Sequence, residues 1–285
     1  MYNLKLCLMS FLRSVFSFFR SLFGRTVPVV EDEVTFVQDV ETQYEIPVPE
    51  KVIDMGITRV PFSETNFYKV SHPKRQIVLH HTVSSPDNSQ AVANYWETLK
   101  DHIATCYVQA FDGNFIQLFD DNYWGHHLGV TAASLKAQGF PDSGSRNVLL
   151  NQQSVAVEIC AWGGLVLGDG RTVMFNGKAV AMKPGVFYNA YGSPVDVSLG
   201  IEEVSWRGFK YFQRYSDRQI DGLGVLLSDL MKRYGISSAG LKDGNFDIRR
   251  DALSGHSGIF SHSNYRADKS DLYPDKRIVQ MLKNL

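Results

Sequence analysis

Between residues 8 and 24 the chain reads LMSFLRSVFSFFRSLFG, with polar positions recurring every three or four residues. On a helix, at about 100° per residue, Ser10, Arg13, Ser14, Ser17, Arg20, Ser21 and Gly24 fall within a sector of roughly 120°. Leu8, Phe11, Leu12, Val15, Phe16, Phe18, Phe19, Leu22 and Phe23 fill the rest. A helix so apolar, with a narrow cationic stripe, suits lying in a membrane interface. It does not suit a span, because Arg13 and Arg20 interrupt each apolar run far below the ~20 residues required. The competing readings of this segment are a cleaved signal peptide, for which no small-x-small site follows, and a helix packed into a core.

From about residue 70 the pattern becomes an alternation of strands and helices. RQIVLHHT (75–82) is a short apolar strand ending in polar groups, and SQAVANYWETLK (89–100) has helical spacing. TCYVQAFDGNFIQLF (105–119) predicts a hairpin turning at Asp112-Gly113. SVAVEICAW (154–162) is a further strand, and SDRQIDGLGVLLSDLMKRYGI (216–236) is an amphipathic helix with a Ser cap and a stop near Gly235. Residues 163–205 form a Gly-rich insert with its own turn at Asn176-Gly177, read as a flap or hairpin beside a site. The order predicts an α/β domain, a central mixed β-sheet flanked by helices.

Charge divides the chain further. Residues 1–30 hold Lys5, Arg13, Arg20 and Arg25 with no acid, whereas residues 31–54 hold eight acids against Lys51. This predicts an N-terminal amphipathic helix (1–30), an acidic linker (31–65) and a catalytic domain (66–285). At 285 residues the chain can bury a sizeable core. A net charge of -1, with no basic run interleaved with aromatics, argues against nucleic acid as a partner. Cys7, Cys106 and Cys160 cannot all pair and lack metal-type spacing, which argues against a disulfide framework.

The histidines are where chemistry concentrates. His80 and His81 end the first strand, His126 and His127 sit in YWGHHLG, and His256 and His262 sit in the polar run GHSGIFSHSNYRADKSDLYPD. Two imidazoles and a carboxylate are a common protein set for catalytic zinc, leaving a fourth position open. Such a site also needs a base and a cation to steady an oxyanion. Glu158 is the candidate base: strand alternation puts it on a face with Ser154, Ala156 and Cys160, away from Val155, Val157 and Ile159. Lys269 is the candidate cation.

IVLHHT, YVQAFDGNFIQLF, YWGHHLG, SVAVEICAWGG, YFQRYSDRQIDGLGVLLSDLMKRYGI and GHSG followed by DKSD occur in the order found in zinc-dependent N-acetylmuramoyl-L-alanine amidases. This superfamily takes in phage lysozyme-type amidases and peptidoglycan recognition proteins. The chain resembles it over about residues 70–285, and WRGFKYFQRYSDRQI resembles the phage endolysin branch. The resemblance implies cleavage of the amide joining N-acetylmuramic acid to L-alanine of the peptidoglycan stem peptide. It implies a Zn2+ cofactor held by His80, His256 and Asp271, with Lys269 assisting the oxyanion and Glu158 as catalytic glutamate. One branch of the superfamily instead uses a tyrosine at the start of the hairpin; Thr105 stands there, which favours Glu158. His127 matches a histidine of the substrate groove, and Tyr107 and Trp162 are further substrate-contact candidates, Tyr107 also being the next candidate base.

The third ligand has two candidates. His262 would give three imidazoles; Asp271 is preferred, because DKSD lets one extended segment set a carboxylate on the metal and Lys269 over the substrate. On that alignment FSHSNY is an inserted turn and His262 faces solvent or contacts the ligands from outside. The expected protein is a monomer, made in a bacterial host's cytoplasm and acting at the cell wall, with residues 8–24 touching the inner membrane. The alternatives are a peptidoglycan-binding module without catalysis and a secreted antibacterial amidase effector.

Overall fold

The computed structural model describes residues 56–140 and 144–285. The expected helix at 1–30 and most of the acidic linker lie outside the described residues. A six-stranded sheet forms the centre, in the order β1-β4-β3-β5-β2-β12. Its strands are β1 (Ile57–Arg59), β2 (Gln76–His81), β3 (Tyr107–Gln109), β4 (Phe115–Gln117), β5 (Ser154–Ile159) and β12 (Gly258–Ser261). β3, β5, β2 and β12 run parallel, while β4 is antiparallel to β3. The fold is thus the mixed α/β sheet expected from the sequence. β1 pairs with β4, so the sheet begins at Ile57 and takes in residues assigned above to the linker.

Strand alternation decides what each face buries. Ile77, Leu79, Val155, Val157 and Ile259 enter the larger apolar cluster, together with Leu223, Leu226, Leu227 and Leu230 of the helix Asp217–Tyr234. That helix starts as predicted, with Ser216 and Gln219 capping each other's backbone N–H and Gly235 closing it in the left-handed region. On the other face Val78 and Phe260 pack with Leu128, Leu135, Leu150 and Leu253. The sheet is therefore covered on both sides, as parallel strands require. Because β2, β5 and β12 run parallel, their C-terminal ends lie together, where ligands usually bind in such sheets.

The insert follows β5 directly. β6 (Gly164–Leu167), β9 (Phe187–Tyr188), β10 (Ile201–Trp206) and β11 (Phe209–Gln213) form a second sheet in the order β10-β11-β6-β9. β7 (Thr172–Phe175) and β8 (Lys178–Ala181) pair as a hairpin through Asn176-Gly177. Both turn residues have positive φ, 49° and 79°, as a two-residue hairpin turn of this hand needs. The inserted sheet runs on to Gln213, so WRGFKYFQ is the tip and return strand of its second hairpin.

Candidate metal centre

Three strands place three functional groups in one row. His80 on β2 is the register partner of Glu158 on β5. Ser261, the last residue of β12, pairs with Leu79, so the next residue, His262, comes level with His80. Adjacent parallel strands lie about 4.8 Å apart and register partners face the same way, so Glu158, His80 and His262 stand side by side. The chain after β12 turns through the short helix His262–Asn264, where Ser261 and Asn264 cap each other. It returns Asp271 to the row: Ser263 N–H donates to the Asp271 carbonyl at 2.9 Å.

The side chains of His80, His262 and Asp271 are all buried and converge. His80 Nδ1 lies 3.1 Å from His262 Nδ1 and 3.2 Å from Asp271 Oδ2, and His262 Nδ1 lies 2.9 Å from the same oxygen. The far side of each ring fixes its tautomer. His262 Nε2 sits 2.8 Å from the Leu128 carbonyl, which can only accept, so Nε2 carries the proton. Ser154 Oγ donates to the Leu150 carbonyl at 2.7 Å and so accepts from His127 Nε2 at 2.8 Å. His127 Nδ1 is then the acceptor for His80 Nε2 at 3.0 Å. Both Nδ1 atoms therefore present lone pairs to each other and to a carboxylate oxygen.

Burial, and then His262 beside it, holds the His80 imidazole down to about 4, and burial likewise lowers His262. Burial opposes charge on Asp271, and the charge and hydrogen bonds of His262 and His80, when those rings carry the extra proton, hold its carboxyl well below the usual range. With both rings neutral and Asp271 ionised, the three atoms are all acceptors and repel unless a cation sits among them. Donor atoms around a tetrahedral zinc, at roughly 2.0–2.2 Å from it, are separated by about 3.3–3.5 Å. The observed triangle is close to that size, and two imidazoles with one carboxylate are a zinc-type donor set, so these residues fit the metal.

Glu158 stands beside the triangle with a buried Oε2 that accepts no hydrogen bond in the structure. Burial, and then the charge of Asp271, push its carboxyl well above the ordinary value. Lys269 is half-buried, two residues before Asp271, and its charge acts on Glu158, His80 and His262. A buried carboxylate, an ammonium whose charge reaches it and a metal-type donor set thus lie in one neighbourhood.

His256 is not brought there. It is exposed before β12, and its carbonyl accepts from the side chain of Gln76, at the start of β2. His80 lies four residue steps along β2 from Gln76, about 13 Å at 3.3 Å per step. Parallel pairing puts the starts of β2 and β12 together, so only a residue after β12 can reach His80. The structure brings together His80, His262 and Asp271, without the expected His256, and FSHSNY forms the end of β12 and its turn. The missed signal was that GIFSH repeats the pattern of IVLHH, an apolar strand running out into histidine.

The structure also places the three residues expected to contact substrate, His127, Tyr107 and Trp162. His127 has both ring nitrogens bonded, to His80 and Ser154, the placement of a residue that orients the His80 ring. Outer partners of this kind fix a ligating ring and are worth about 10–100-fold in metal affinity. His127→Ala is therefore expected to weaken zinc binding by about that factor, measured by competition with a chromogenic chelator; unchanged affinity would remove it from this role. Tyr107 is out of phase with the row, since Val108 is the β3 residue in register with Glu158. Its side chain is buried on the opposite face and its hydroxyl donates to Asp121 at 2.7 Å. Trp162 lies just beyond β5, half-buried, its backbone N–H donating to Gln213 Oε1 at 2.7 Å.

The sequence model of one family, described as N-acetylmuramoyl-L-alanine amidase, matches residues 70–274. No curated protein matches the chain. Among solved structures, PlyL is similar at 13% identity and TM-score 0.43, covering 80% of this chain and 97% of that one. The N-acetylmuramoyl-L-alanine amidase LysC from Clostridium intestinale is similar at 13% identity and TM-score 0.40, with the same two coverages, 80% and 97%. The PlyG catalytic domain is similar at 14% identity and TM-score 0.41, covering 81% of this chain and 94% of that one.

Proposed function

Because the chain belongs to the N-acetylmuramoyl-L-alanine amidase family, we propose that it is a zinc-dependent peptidoglycan hydrolase, cutting the amide between N-acetylmuramic acid and L-alanine. The observation that supports zinc is the convergence of His80 Nδ1, His262 Nδ1 and Asp271 Oδ2, each within 3.2 Å of the other two. Held there, the ion would supply Lewis-acid polarisation of the scissile carbonyl and activation of water. The chain's own groups handle protons and charge. Glu158, an acceptor without a partner, takes the proton of the attacking water and later delivers one to the leaving amine of L-alanine. Lys269 sets a positive charge beside the carbonyl oxygen as it becomes an oxyanion. Work as a phage endolysin is supported by the resemblance of WRGFKYFQRYSDRQI to that branch. A binding module without catalysis would have no use for a buried unpaired carboxylate beside a metal-type triangle, which favours the enzyme.

Mass spectrometry of peptidoglycan digested by the purified chain, with and without a chelator, tests this reading. The expected products are glycan carrying free lactyl carboxyls and stem peptides with a free L-alanine amine, formed only without chelator. Metal analysis should find about one zinc per chain, as a single open site implies. Cleavage within the glycan or inside the peptide, or digestion indifferent to chelation, would sink it.

A further inference from the structure

We propose that the tip of the inserted hairpin, Trp206-Arg207, is a positioning device for the segment that carries Lys269 and Asp271. The proposal rests on the zinc-amidase reading for its catalytic consequence, but its geometry stands apart. Ser270 lies between the two functional residues, and its carbonyl accepts the Trp206 indole N–H at 3.1 Å. Arg207 reaches the same segment: its guanidinium donates to the Ala267 carbonyl at 2.8 Å and to Asp247 at 3.0 Å. The guanidinium also lies over the Trp206 ring, 4.7 Å from its centroid, and that ring packs edge-on against Phe246. Further along, Phe212 at the end of β11 and Tyr215 both stack on Tyr273, with centroids 4.8 Å away in each case. The second hairpin thus grips the segment from Ala267 to Tyr273, on both sides of Asp271.

The turn itself shows that Arg207 is not there for the hairpin. Trp206 pairs with Phe209, so Arg207-Gly208 is a two-residue turn, and both residues have positive φ, 46° and 87°. Asn or Gly is the ordinary occupant of the first position, because in the left-handed region a Cβ crowds the following carbonyl oxygen, which Gly avoids and Asn offsets by local hydrogen bonding. An arginine there works against the turn, and what it gains is the pair of bonds to Ala267 and Asp247. Chain segments that present a base, a ligand or a cation must be held within about 0.5 Å to work, and this segment has no regular secondary structure of its own between Asn264 and Lys276. The inserted sheet supplies that support from outside.

Arg207→Asn and Trp206→Phe separate positioning from folding. The first relieves the turn while removing the guanidinium; the second keeps an aromatic ring against Phe246 and removes the N–H. Both are expected to melt within a few degrees of the parent, or above it for Arg207→Asn. Both should bind zinc about 10-fold more weakly, the low end of the effect of outer supports, with kcat falling and KM within about twofold. Arg207→Lys, which can still donate to the Ala267 carbonyl, should recover part of the zinc affinity. In the metal-free protein, hydrogen exchange should quicken at the amides of Ser263 and Lys269 and not in the central strands. Unchanged exchange at those amides, or zinc affinity equal to the parent's, overturns the proposal. A parent chain that binds no zinc would defeat the reading of function alone, and the exchange measurement would still decide the clamp.

Discussion

His262→Ala is expected to lose zinc and peptidoglycan cleavage together, whereas His256→Ala keeps both within about twofold. His262 presents a lone pair to His80 and Asp271 at 3.1 and 2.9 Å, with its proton fixed on the other nitrogen by the Leu128 carbonyl. Removing it leaves two donors, too few to retain zinc in a catalytic site, so the loss of affinity should exceed the ~10–100-fold that removal of an outer partner costs. His256 is exposed at the far end of β12 and touches none of these groups through its ring in the structure. The pair is measured by zinc titration and by release of stem peptide. If His256→Ala lost zinc while His262→Ala kept it, the row of residues across β5, β2 and β12 would not be the metal site.

Why the sequence grouped His256 with His80 and Asp271, where the structure groups His262 with them, follows from what periodicity encodes. Alternation along SVAVEI put Glu158 opposite Val155 and Val157, and those valines are in the main core while Glu158 stands in the row. His80 at a strand end, and the turn at Asp112-Gly113, are equally local signals. Which of two histidines in one run meets His80 is set by the parallel pairing of β12 with β2, a contact between residues some 180 apart. Composition carries no trace of that pairing. The same holds for His127: a histidine in a loop looks like a substrate contact until the fold places Ser154 and His80 on its two nitrogens. The clamp was out of reach for a further reason, since Trp206 and Ser270 meet only because the insert folds back over the domain.

Glu158→Gln should retain zinc and the fold yet lose about 10²–10⁴-fold in turnover, the usual worth of a positioned general base. The amide is nearly isosteric, but it cannot take a proton from water. The same substitution should also stabilise the metal-free protein near neutral pH, and the sign can be worked out. Burial, and then Asp271, raise the folded-state pKa of Glu158 above its ordinary 4.5. Above pH 4.5 the folded chain thus holds a proton that the unfolded chain has released, so stability falls as pH rises toward the folded-state value. Glutamine has no proton to lose and escapes that decline. Thermal melts of the two metal-free proteins should therefore nearly coincide at pH 4 and separate by pH 7, with Glu158→Gln the higher. A bound cation favours the ionised carboxylate, so the gap should narrow once zinc is added. A variant with normal turnover would move the base elsewhere. A variant that lost turnover but melted below the parent at pH 7 would show that Glu158 makes a stabilising contact, contrary to the unpartnered oxygen from which its role as a base is argued.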